Sequence, residues 1–273
     1  MSSSPAIRAD ADGPVLRVRL DRPERGNALD GQALRELAAV YASLHDRPEI
    51  RVVTLHGNGD SFCVGADRDG LPESDATLAG LANRLCDAVA RTEALTIARV
   101  QGAVTGLGLA LMIACDLRLA YPDAAFRLPE LLTRRPPLWG GAVPRLLAEI
   151  GPARTRELVL VGRRIDAADA EAYGLVNRTG PAALIDQLES RWIRRVLRAD
   201  PTAGRLAKAQ LYQYEERRGP YSEQRSPHGE QHRLYEERRG LSELTGLVDL
   251  DAGSTAAGSA YLRRLDDTTE TRP

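Results

Sequence analysis

The stretch most able to do chemistry is Arg99-Val-Gln-Gly-Ala-Val-Thr-Gly-Leu-Gly-Leu-Ala-Leu-Met-Ile-Ala-Cys-Asp116. Glycines at 102, 106 and 108 let the backbone turn tightly and approach a ligand. The helix that follows aims its unpaired N–H groups and positive dipole end into the turn, where a developing negative charge would be held. There is no Gly-Lys-Ser/Thr ending, and the glycine spacing is not the dinucleotide fingerprint, so nucleotide hydrolysis fits poorly. A second turn, Ser61-Phe-Cys-Val-Gly-Ala-Asp-Arg-Asp69, has the same mixture of small residues and charge. Two such turns, each giving one main-chain N–H, would form an oxyanion hole for a thioester carbonyl. Glycine turns also serve packing alone, so these segments need positional support before they count as a site.

That support must come from strands and helices that bring the two turns together. Leu16, Val18 and Leu20 alternate with Arg17 and Arg19, which predicts a half-buried strand over 15–20 closed by Asp21-Arg22-Pro23. Leu34, Leu37, Ala38, Tyr41 and Leu44 recur at helical spacing up to Asp46-Arg47-Pro48. A β-branched strand over 50–55 runs into the loop His56 to Asp60, and Leu78 to Thr92 predicts a second helix. Thr96 to Val100 reads as a strand feeding the glycine turn at 102–108, then a small-residue helix to about Ala114. The strand 117–120 and an extended stretch 126–129 follow, and beyond Gly140 the pattern is mainly helical with breaks at Gly151-Pro152, Gly162, Gly174 and Pro201.

Composition bounds the rest. The chain has 273 residues, 43% hydrophobic, enough for one large domain. Lys and Arg total 37 against 38 Asp and Glu, so no global field recruits nucleic acid. Cys63, Cys86 and Cys115 are too scattered for a disulfide framework and read as buried small hydrophobes, as expected in a reducing cytoplasm. The four histidines are dispersed and propose no metal site. The N-terminus shows no signal-like apolar run and no segment is apolar enough to span a bilayer, so a cytoplasmic protein without membrane contact is expected. A charged phrase, Tyr-Glu-Glu-Arg-Arg-Gly, occurs at 214–219 and again at 235–240, in a polar segment that reads as a solvated helix pair or a lid.

Five blocks in order resemble the signatures of the enoyl-CoA hydratase/isomerase, or crotonase, superfamily: Leu20-Asp-Arg-Pro-Glu-Arg-Gly-Asn-Ala-Leu29, Phe62-Cys-Val-Gly-Ala-Asp67, the run Gly102 to Asp116, Phe126-Arg-Leu-Pro-Glu130, and Gly174-Leu-Val-Asn177. The resemblance covers roughly residues 15–210 and implies an α/β fold, a superhelix of repeated β-β-α units with a helical C-terminal region. On that basis residues 1–200 form the core, and 201–273 a helical region for oligomerisation or for covering the active site. A homotrimer, or a hexamer of paired trimers, is implied. The substrate would be an acyl-CoA or another pantetheine thioester, with no tightly bound cofactor because coenzyme A arrives as part of the substrate.

Carried over by position, the resemblance makes the N–H groups of Ala66 and Leu107 the oxyanion donors, Leu107 standing where the family usually has glycine. It places Arg25, Asn27, Ala28 and Leu29, with Ala66, Asp67, Arg68 and Asp69, against coenzyme A, Arg25 and Arg68 as phosphate partners or as ordinary surface charge. Gly106, Ala110 and Trp139 would line the acyl site, and Arg134, Arg135 and Trp139 would either read a carboxylated or aromatic acyl group or face a subunit contact.

Family hydratases use two glutamates. Here the first position is Ala110 and the second is retained as Glu130, whose other reading is a helix-capping carboxylate after Pro129. Adding water suits two flanking acids, whereas one carboxylate suits moving a proton between carbons. Glu130 alone matches the Δ3,Δ2-enoyl-CoA isomerases. A hydratase or dehydratase, a decarboxylase or a C–C lyase shares the same fold and hole, and a non-catalytic CoA-binding homologue is the remaining alternative.

Overall fold

The computed structural model describes residues 5–67, 74–133 and 140–218. Its frame is a six-stranded sheet in the order β1 (Ile7–Asp12), β2 (Val15–Leu20), β3 (Val52–Gly57), β4 (Leu95–Val100), β6 (Leu117–Ala120) and β9 (Arg178–Thr179). The β1–β2 hairpin is antiparallel and every later pairing is parallel. A second, smaller sheet joins β5 (Ala103–Thr105) parallel to β7 (Ala125–Arg127), with β8 (Ile165–Asp166) antiparallel to β7.

Parallel pairing needs crossovers, and helices supply them. After β2 the chain forms α1 (Gly31–Ser43), capped by Asp30, whose carboxylate accepts the Ala33 N–H at 2.7 Å. After β3 it forms α2 (Asp75–Arg91), capped by Ser74. After β4 it forms α3 (Leu107–Ile113). β2, β3 and β4 thus each run on into a short extended segment of the second layer and then a helix, so the β-β-α superhelix is the observed architecture. Single parallel bridges, Leu29 to Ala66 and Cys63 to Val104, continue that second layer. Its core is continuous, from Leu34, Leu37 and Tyr41 through Leu78 and Leu85 to Leu109, Met112 and Phe126.

The outer face of the large sheet has its own layer. There α7 (Ala182–Arg198) lays Ile185 and Leu188 on Val15, Val52, Ile97 and Leu119. Helices α4 (Ala142–Glu149), α5 (Gly151–Arg156), α6 (Ala167–Tyr173) and α8 (Pro201–Arg218) complete the described chain, with one wide turn at Glu157–Val161.

The strands expected at 15–20, 96–100 and 117–120 and the first two helices stand where periodicity put them, within a few residues. Three differences have physical causes. β1 gives no sequence signal because Ile7 is its only buried residue, leaving no apolar alternation. Most of the glycine turn is not a loop, since Ala103–Thr105 pairs with β7. β3 extends to Gly57, past the point where His56 was expected to begin a loop.

Candidate active site

The first turn is tied to its neighbour by main-chain bonds. Leu29 N–H donates to the Gly65 carbonyl at 2.9 Å, and Asp67 N–H donates to the Leu29 carbonyl at 2.9 Å. In a trans peptide the N–H points opposite to the C=O. With the Gly65 carbonyl turned to Leu29, the Ala66 N–H therefore faces away from Leu29, and among the described residues it donates to no acceptor. Gly65 has φ +111°, and a Cβ there would sit 3.8 Å from the Leu107 nitrogen. The two turns are thus adjacent.

The second turn starts α3. Gly106, at φ 55° and ψ −119°, precedes the helix in a conformation that a side chain would strain, and its N–H donates to the Arg127 carbonyl at 3.0 Å. Leu107 is the first helical residue, so its N–H has no partner inside the helix, and none among the described residues. Its bulky side chain has found room: it is 1% exposed in the main core. Ala110, on the same short helix, is fully buried.

Glu130 lies beyond β7, in a turn closed by the Thr133 N–H donating to the Pro129 carbonyl at 3.0 Å. No regular helix begins at Pro129 among the described residues, and the Thr133 N–H that a capping carboxylate would take goes to a carbonyl instead. The side chain points back to the glycine turn. A Cβ on Gly106 would collide with Glu130 Oε1, and Oε2 is shut off from solvent. Gly65, Ala66, Gly106, Leu107 and the Glu130 carboxylate therefore meet in one place.

The stretch 25–29 has a different character. Asn27, in a left-handed conformation, is 1% exposed, and its amide bridges two loops: Oδ1 accepts the Arg22 N–H of its own loop at 2.9 Å, and Nδ2 donates to the carbonyls of Asn58 at 2.8 Å and Ser61 at 2.7 Å in the loop after β3. Ala28 and Leu29 are buried as well. Of this group Arg25 is the side chain that reaches solvent, at 40% exposure, and it pairs with Asp67 at 3.1 Å. Asp67 is nearly sealed and also takes Arg22 at 3.1 Å. Arg22 was not singled out from the sequence. Its motif was, but its partner Asp67 lies 45 residues away, a distance no local pattern reports. Arg68, Asp69, Arg134, Arg135, Trp139 and the segment 219–241 lie outside the described residues.

The cysteines are buried free thiols, each pushed up to about 12 by burial, which suits packing rather than nucleophilic work. Among the described residues no cluster of His, Cys, Asp and Glu could hold a metal ion, and no helix is long and apolar enough to cross a membrane.

A family model described as enoyl-CoA hydratase/isomerase matches residues 10–233. The chain belongs to that family. Within this crotonase superfamily, the probable enoyl-CoA hydratase EchA8 of Mycobacterium bovis is 34% identical over 178 residues, covering 64% of this chain and 69% of the relative. A monofunctional enoyl-CoA isomerase from M. smegmatis superposes with a TM-score of 0.67 at 30% identity, over 77% of this chain and 94% of that one. An enoyl-CoA hydratase from Mycobacterium avium subsp. paratuberculosis superposes with a TM-score of 0.74 at 26% identity, over 93% of this chain and all of the other. As a family member the protein is an acyl-CoA enzyme, working on coenzyme A thioesters without a separate cofactor.

Proposed function

We propose that this acyl-CoA enzyme is a double-bond isomerase with one acid/base residue. The thioester oxygen sits between the N–H groups of Ala66 and Leu107, which have no acceptor among the described residues and lie on adjoining turns. Glu130 removes a proton from C2 of a 3-enoyl-CoA, the negative charge delocalises onto the thioester oxygen as a dienolate, and Glu130 returns the proton to C4. The double bond moves into conjugation, and no water is consumed.

The observation that carries this reading is the pairing of Glu130 with Ala110. The Glu130 carboxylate is packed against Gly106 at the mouth of α3, while the helix position that holds the second acid in family hydratases is a buried methyl group. One carboxylate beside an oxyanion hole can shuttle a proton, whereas activating water and protonating carbon is served by two. Likeness to the M. smegmatis isomerase supports the same choice. Hydration remains the second reading, favoured by the probable hydratase EchA8 among the relatives.

Product analysis separates them. Given 3-enoyl-CoA, the protein should accumulate the conjugated 2-enoyl-CoA, and given crotonyl-CoA it should form 3-hydroxyacyl product slowly or not at all. Fast hydration of crotonyl-CoA with no movement of the 3-enoyl double bond would replace the isomerase by the hydratase. On either reading the substrate is a coenzyme A or pantetheine thioester, and trimeric or hexameric assembly through residues 201–273 is the arrangement expected of the family.

A further inference from the structure

We infer that Arg22 is a positioning residue for the Ala66 N–H, acting through Asp67. The inference rests on the oxyanion role proposed for Ala66. Ala66 has little of its own to fix its peptide: a methyl side chain, flanked by Gly65 at φ +111° and by residues with no regular secondary structure. What orients the donor is the bridge to Leu29 on one side and the anchoring of Asp67 on the other.

Arg22 ties both to the body of the fold. One guanidinium nitrogen donates to the Ala28 carbonyl at 3.1 Å and to Asp30 at 2.8 Å, and the other donates to Asp67 at 3.1 Å. Asp30 is also the cap of α1. A mechanical chain therefore runs from the start of α1 through Asp30 and Arg22 to Asp67, and Asp67 is bonded directly to Ala66. The same guanidinium holds Ala28, the neighbour of the Leu29 bridge, so Arg22 bears on both supports of the Ala66 peptide, sharing Asp67 with Arg25.

Exposure separates this role from ligand binding. The Arg22 side chain is 17% exposed and Asp67 is 4% exposed, whereas Arg25 on the same carboxylate is 40% exposed. Arg25 keeps part of its side chain in solvent; Arg22 is occupied inside. Arg22 thereby braces Asp30 and Asp67 against one another. An arginine is required because only a planar fork reaches two carboxylates and a carbonyl at once; a lysine is a point charge.

Because a misdirected oxyanion donor weakens the transition state more than it weakens binding, the effect should fall on kcat. The test uses the full-length protein and two variants, Arg22→Gln and Asp67→Asn, each checked for folding by circular dichroism. The spectroscopic probe is a saturated acyl-CoA carrying carbon-13 at the thioester carbonyl, whose infrared stretch moves to lower frequency when N–H donors polarise it. We expect the wild type to show that shift and Glu130→Gln to keep it. Arg22→Gln should lose most of it, with kcat lowered by at least about tenfold, KM little changed, and Arg22→Lys recovering only part. Should Arg22→Gln fail to fold, Asp67→Asn carries the comparison. A variant that keeps the full shift and kcat, or that raises KM alone, overturns the positioning role while leaving the oxyanion reading intact. Absence of any shift in the wild type overturns the oxyanion reading itself.

Discussion

Beyond β3 and β4 the chain brings the backbone of Gly65 beside that of Leu107, and the backbone of Gly106 against the Glu130 carboxylate. On the outer face of the same sheet, α7 covers Val15, Val52, Ile97 and Leu119 with ordinary apolar packing and is fastened at both ends by arginines. Arg99 pairs with Asp186 and Glu189 near its start, and Arg51 donates to the carbonyls of Val196, Leu197 and Ala199 at its end, at 2.7, 2.9 and 2.8 Å. The first region has small residues and main-chain groups that are not used up by the fold; the second commits Arg51 and Arg99 to holding a helix. Placing an N–H for chemistry requires leaving its hydrogen bond unmade, whereas holding a helix in place requires the opposite.

Breaking the first region should remove activity with little loss of fold. Gly106→Ala puts a Cβ against Glu130 Oε1 and strains a backbone at φ 55°. We expect turnover to fall by about a hundredfold or more, the scale of losing an oxyanion donor, with the substitution lowering the melting temperature modestly. Steady-state kinetics beside thermal melts checks this, and an equal fractional loss in folded protein and activity would erase the distinction between the two regions.

Breaking the second should do the reverse. Arg51→Ala leaves the last carbonyls of α7 without their charged donor, at a cost of about 2 kcal/mol, read as a lower midpoint in urea. The kcat of the folded fraction should stay unchanged. A large loss in kcat would mean that the outer layer, too, aligns the site.

A smaller effect on the same outer face comes from His56, which aligns in the sheet register with Arg19 on β2 and Arg99 on β4. Burial first, then Arg99, Arg19 and Arg17, depresses its pKa from 6.5 to about 4. The unfolded chain therefore takes up this proton before the folded one does. Stability from this group is complete above pH 6.5 and is lost as pH falls toward 4, by on the order of 1 kcal/mol after allowing for solvent screening. Urea midpoints measured between those limits should slope less in His56→Gln than in the wild type. Identical slopes would show that the imidazole is not shielded as the structure has it.

The two regions also differ in how legibly the sequence announces them. The glycine turns are local features that the sequence shows directly, and the resemblance to the family is what marks Ala66, Leu107 and Glu130. The fastening of α7 is invisible in the sequence, since Arg51 meets that helix some 145 residues on in the chain and its own neighbourhood reads only as a β-branched strand. The Arg22–Asp67 brace fails to show for the same reason, although both residues stood inside motifs. Asn27 was expected against coenzyme A, and its side chain is instead spent between loops, which leaves any such contact to main-chain atoms or to Arg25. β1, β8 and β9 went unread because two are only two residues long and the third buries a single side chain.

The central claim, that Glu130 alone moves the proton, is tested most directly by isotope exchange. Wild-type protein and Glu130→Gln are incubated with 3-enoyl-CoA in deuterated water, and deuterium is located at C2 and C4 by NMR and mass spectrometry. Label is expected in substrate or product with the wild type, and a loss of exchange by about a hundredfold or more in Glu130→Gln, with the variant folded. Exchange that persists at the wild-type rate in the folded variant would contradict it and assign the acid/base role to another group.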